Sequence, residues 1–131
     1  MKKIVLVLLV GAALAGCAAN KSTLSPTTMN PGSAGTIVAT ETKNGNTKLD
    51  VDVNYLPPPG ALGSNTYVVW IRPGNGRFVN LGQVAIDDKR HGSLVTMTPH
   101  KSFTVIVTGE ETATAAAPSQ TVVLTGEVDT K

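Results

Sequence analysis

The chain is poor in the residues that usually carry chemistry or cross-links. It holds a single cysteine, two histidines, and aromatics at only 4% of its 131 residues. One cysteine excludes an internal disulfide, so no covalent staple can join two layers of a fold. So few aromatic rings argue against a stacking platform for sugars or bases. There is no Gly-x-Ser-x-Gly elbow, and neither histidine stands with a nucleophile and an acid, so nothing names a hydrolase. Past the first sixteen residues no helical period of any length appears. No apolar run reaches the roughly 20 residues that a helix needs to span a bilayer.

What is present begins at the N-terminus. Lys2 and Lys3 precede thirteen apolar or small residues, Ile4 to Gly16. A basic pair followed by a short greasy run has the length and polarity of an export signal, so residues 1–16 are read as a signal peptide. The run ends at the cysteine. Leu14-Ala15-Gly16-Cys17 resembles the lipobox of bacterial lipoproteins at all four positions. The resemblance implies a diacylglycerol on the Cys17 sulfur, cleavage after Gly16, and usually acylation of the new amine. These residue types suit that chemistry, because a thiolate is a good nucleophile for a thioether and Ala15 and Gly16 are small. Ala13-Leu14-Ala15 also fits an ordinary A-x-A site, which would release a soluble chain starting at Gly16 with a free thiol. Ala18 after the cysteine resembles the class sorted to the outer membrane where an organism has two.

Removing residues 1–16 leaves nine basic residues against nine acidic ones. The formal charge of +2 and the pI of 8.8 therefore belong to the precursor. A mature chain near zero leaves no net basic field to argue for nucleic acid or for anionic lipid surfaces. The membrane contact expected is the lipid anchor itself, and no nucleic acid is expected as a partner. Residues 17–35, the lipidated cysteine and a small, polar, turn-rich stretch, read as a disordered tether.

From Thr36 the pattern is β throughout, and residues 36–131 are expected to form one domain. Leu49, Val51, Val53 and Tyr55 alternate with Asp50, Asp52 and Asn54. That alternation predicts a strand with one buried face, turning into its neighbour at Asn44-Gly45. Pro57 to Gly60 cannot serve a sheet ladder and must connect. Further strands are expected in TYVVWIR, RFVNLGQVAI, SLVTM, SFTVIVTG and TVVLTGEV. About seven strands in this length predict an all-β fold, an antiparallel immunoglobulin-like β-sandwich preceded by a signal helix and the tether. Its core is expected to be aliphatic, around Trp70.

Four stretches of the second half carry a family resemblance. They are YVVWIR with Tyr67 and Trp70, FVNLGQ with Leu81-Gly82, SFTVIVTGEE, and APSQTVVLTGE with Pro118, Val122, Leu124 and Gly126. Together, over Tyr67 to Gly126, they resemble the extracytoplasmic C-terminal domain of anti-sigma-K-type factors. The resemblance implies a β-sandwich that works outside the cytoplasm, in sensing or protein contact. The chain departs from that family after Glu110, where Glu111-Thr112-Ala113 replaces a Pro-Gly-Gly-type turn. It also has no cytoplasmic sigma-binding part or transmembrane helix, so the regulatory activity is not carried over.

Candidate sites are few. His91, Met97 and His100 offer imidazole and thioether ligands of the kind copper accepts, but they bracket a strand whose spacing does not favour their meeting. Asp50, Asp52, Asp87 and Asp88 do not form a calcium loop of the needed oxygen density. RPGNGR, between Arg72 and Arg77, lacks the context of a phosphate loop and reads as a hairpin turn. HGS, His91 to Ser93, places His and Ser side by side without a third partner. The expectation is a lipid-anchored cell-envelope protein with Cys17 as its modified residue, without a cofactor or catalytic residues, serving as a structural or protein-interaction module for an envelope partner. A periplasmic metal- or small-ligand-binding lipoprotein is the alternative.

Overall fold

The computed structural model describes residues 19–130, so the signal segment and the lipobox with Cys17 lie outside the described residues. The described chain is all-β. Eight strands run in the order β1 (Asn20–Pro26), β2 (Ala34–Glu41), β3 (Thr47–Asn54), β4 (Thr66–Arg72), β5 (Val79–Val84), β6 (His91–Thr98), β7 (Ser102–Glu110) and β8 (Val122–Asp129). They make one antiparallel sheet with the order β5-β4-β7-β8-β1-β2-β3-β6. The sheet curls until its two outermost strands, β5 and β6, lie side by side without ladder pairing, which makes it nearly closed.

The β2–β3 hairpin forms where the sequence predicts it. Gly45 takes φ 85°, and its N–H bonds to Thr42 O at 3.1 Å, while Thr42 N–H bonds to Asn46 O. Asn44 keeps a negative φ, so the loop is one residue wider than a two-residue Asn-Gly turn, with glycine in the left-handed position that bulged hairpins require. In β3, Leu49, Val51 and Val53 are fully buried as the alternation implies. Tyr55 departs from it. The strand ends at Asn54, Tyr55 turns to φ 63°, and its ring stays exposed while Leu56 takes the next buried place.

The expected tether is different too. Residues 20–26 form β1, which pairs from Asn20 to Leu24 with β2 and then at Ser25 and Pro26 with β8. Only Leu24 of the strand is buried, at 1% exposure, so one apolar residue in a polar run carries the packing. The backbone pairing on two sides does the rest. Without β1, β2 and β8 would each present an unpaired edge.

The main core lies inside the curled sheet. Tyr67, Val69 and Ile71 of β4 meet Phe103, Val105 and Val107 of β7, with Leu124 of β8 beside Val107 and Ile37, Leu49, Val51 and Val53 of β2 and β3 in the same cluster. Trp70 is not among them. It sits with Val68 and Ile106 on the outer face of the β4–β7 pair, covered by Phe78, Ala115 and Val122. β4 is therefore buried on both faces, which is why its sequence is a continuous apolar run rather than an alternating one.

Candidate binding site around Glu110

The outer cluster has a lid and a polar clasp. The segment 111–121, without regular structure, lies over the outer face beside Trp70. Outward positions on β7 alternate as Ile106, Thr108 and Glu110, opposite Trp70, Val68 and Thr66 of β4. Trp70 donates its indole N–H to Thr108 Oγ1 at 2.8 Å. The Thr108 hydroxyl donates in turn to Glu110 Oε2, which also accepts the Ser119 N–H at 2.8 Å. Ser119 donates its hydroxyl to Gly109 O at 2.6 Å, and Asn80 Nδ2 donates to Ala113 O and Ala115 O. Each end of the lid is thereby tied to the sheet by buried or half-buried hydrogen bonds.

Glu110 is the chemically unusual member. The residue is only 6% exposed, yet no ion pair in the described residues reaches it. A carboxylate removed from water requires hydrogen bonds or a cation, and here hydroxyl and amide donors serve. Beside it opens a cavity of about 420 Å³, walled by Ser64, Glu110, Glu111, Ser119, Thr121 and neighbouring backbone. The wall carries two carboxyl groups and several hydroxyls but no basic side chain. Such a lining complements an ammonium-bearing or hydroxyl-bearing small molecule better than an anion or an apolar one.

The sequence-derived candidates fall elsewhere. His91 begins β6, Met97 stands near its far end, and His100 lies beyond it. Six residues of strand separate His91 from Met97 by about 20 Å, so the three do not converge. His91 instead faces acids, with Nε2 at 3.2 Å from Asp52 Oδ1 and Nδ1 at 4.0 Å from Asp87 Oδ2. Asp87 Oδ1 accepts the backbone N–H groups of His91 and Lys89, both at 2.9 Å, closing the turn between β5 and β6. The His91 N–H bond above all, then that of Lys89, holds the Asp87 carboxyl below its ordinary range. Asp50 and Asp52 line the solvent-facing side of β3, half-buried. No group of three or more His, Cys, Asp or Glu poised to hold a metal occurs among the described residues.

Arg72 and Arg77 flank a hairpin turn closed by Gly76 N–H to Pro73 O at 3.0 Å. Ser93 is exposed on β6, one glycine from His91, and has no third partner. Glu110 escaped the sequence reading because Gly-Glu-Glu before a polar segment looks like a solvated turn. The one available signal was the phase of β7, which puts Glu110 on the same outward face as Ile106 and Thr108, opposite the tryptophan strand. Comparison of the chain with protein-family models, curated proteins and solved structures returned no match.

Proposed function

We propose that this chain is a lipid-anchored protein of the cell envelope, held through Cys17, whose β domain is a non-catalytic structural or protein-interaction module. The observation that carries this reading is the four-residue match at Leu14-Ala15-Gly16-Cys17, placed directly behind a basic pair and a short apolar run. Ala18 favours the outer membrane in a two-membrane organism. For the fold, the reading is an immunoglobulin-like sandwich in which β1, β2, β3 and β6 form one layer and β8, β7, β4 and β5 the other. The division of β1 between β2 and β8 supports it, since a strand that changes partners is a natural corner between layers. The resemblance of Tyr67 to Gly126 to the extracytoplasmic domain of anti-sigma-K-type factors fits the same location and the same use in protein contact.

Metabolic labelling with radioactive palmitate tests the anchor. The wild-type chain is expected to incorporate label and the Cys17→Ser variant none; equal labelling of both would remove Cys17 from the account.

A second reading, a periplasmic small-ligand-binding lipoprotein, is favoured by one observation, the cavity beside the buried Glu110. A metal set of His91, Met97 and His100 does not serve it, because the three are spread along β6 and beyond. Copper titration of the wild type beside a His91→Ala/His100→Ala variant checks that point, with equal and feeble binding expected in both.

A further inference from the structure

We propose that the end of the domain at which β1 begins is a docking surface for anionic phospholipid headgroups. The proposal takes its orientation from the lipid anchor at Cys17, which the sequence places three positions before Asn20.

The topology brings one set of strand ends together there. Asn20 pairs with Ala39, Glu41 with Thr47, Thr47 with Thr98, Ser102 with Asp129, and Arg72 with Thr104. The 42–46 hairpin, the 99–101 connection and the turn after Arg72 therefore share this end. Side chains link them: Lys101 Nζ bonds to Glu41 Oε2 at 2.5 Å and to Gly45 O at 2.8 Å, and Thr47 Oγ1 donates to His100 O.

Charge is distributed unevenly between the two ends. Lys21, Lys43, Lys48, Arg72, Arg77 and Lys101 all belong to the β1 end, and all but Lys101 are exposed. Glu41, Asp50, Glu127 and Asp129 oppose them there, Asp50 lying level with Lys21 across Val38, so this end carries an excess of two positive charges. The opposite end holds Asp87, Asp88, Glu110 and Glu111 against Lys89 and Arg90. A chain with no net charge past residue 16 is thus a dipole whose positive pole lies where the anchor enters. With only residues 18 and 19 between Cys17 and the first paired residue, Asn20 of an anchored domain lies no more than about 10 Å along the chain from Cys17, a distance comparable with the Debye length of about 8 Å at physiological ionic strength. Basic side chains at that distance are attracted by anionic lipid, and the acidic pole faces away.

The chain from residue 19 onward contains all eight strands and every core residue from Leu24 to Val128, so it folds without the anchor and isolates the electrostatic contact. Its cosedimentation is measured with phosphatidylcholine vesicles, pure or with about 40 mol % phosphatidylglycerol, at low salt. Binding to the anionic vesicles is expected to be at least about tenfold tighter than to the neutral ones, and to disappear as added salt shortens the screening length. K43E/R77E is expected to abolish it, while K89E/R90E, with the same change in net charge at the other end, retains it. Equal binding to both vesicle types, or equal loss in both variants, overturns the proposal. Failure here with diacylglycerol found on Cys17 removes the docking surface and leaves the anchor; salt-sensitive docking with an unmodified Cys17 does the reverse.

Discussion

Trp70 and Glu110 are joined through one hydroxyl: Thr108 Oγ1 accepts the indole N–H at 2.8 Å and donates its own proton to the carboxylate. The relay places a polar core beneath the 111–121 lid on the outer face of the sheet, separate from the apolar core inside it. Each member satisfies the next, so the cost of removing one falls on the others.

Thr108→Val keeps the shape of the side chain and removes both hydrogen bonds. It leaves a buried indole N–H without an acceptor and Glu110 with one donor fewer. A loss of about 1–3 kcal/mol in urea unfolding is expected, with Thr108→Ser close to wild type. Amide exchange at Ser119 is expected to accelerate in the valine variant, because its acceptor is no longer held in place.

Leu24→Ala tests whether β1 belongs to the domain. A side chain at 1% exposure in the core is expected to cost about 2–5 kcal/mol on truncation. A residue in a flexible tether would cost nothing measurable in thermal unfolding.

Tyr67 is expected to make the fold sensitive to alkali. Its hydroxyl donates to Pro57 O at 2.7 Å, and burial pushes its pKa up to about 12. Between about pH 10 and 12 the unfolded chain releases this proton and the folded chain keeps it. Stability is therefore expected to be whole below pH 10 and to decline as pH rises toward 12. In Tyr67→Phe that component of the decline is expected to vanish from a pH series of denaturant midpoints, at the cost of the hydrogen bond.

The legible parts of the fold were those with strong local signals. Leu49, Val51 and Val53 alternate with polar residues, and Gly45 can adopt the backbone its turn demands, so β2 and β3 could be placed from sequence. β1 could not. In Asn-Lys-Ser-Thr-Leu-Ser-Pro only Leu24 packs inward, and the strand exists because β2 and β8 both offer backbone partners far along the chain. The sequence places Trp70 at the centre of an aliphatic core, as the largest side chain in an apolar strand. Yet β4 is covered on both faces, and its alternation sends Trp70 outward with Val68. Glu110 depends on a lid nine residues away in sequence at Ser119, a relation that no local pattern contains. Charge told a similar story: the total is zero past residue 16, while topology gathers six of the basic residues at one end.

The account stands on Cys17, and intact-mass spectrometry of the protein isolated from its native membranes tests it most directly. The predicted result is a chain beginning at Cys17 whose mass exceeds the polypeptide by a diacylglyceryl group, with a further acyl chain on the amine. An unmodified chain beginning at Gly16 would contradict it.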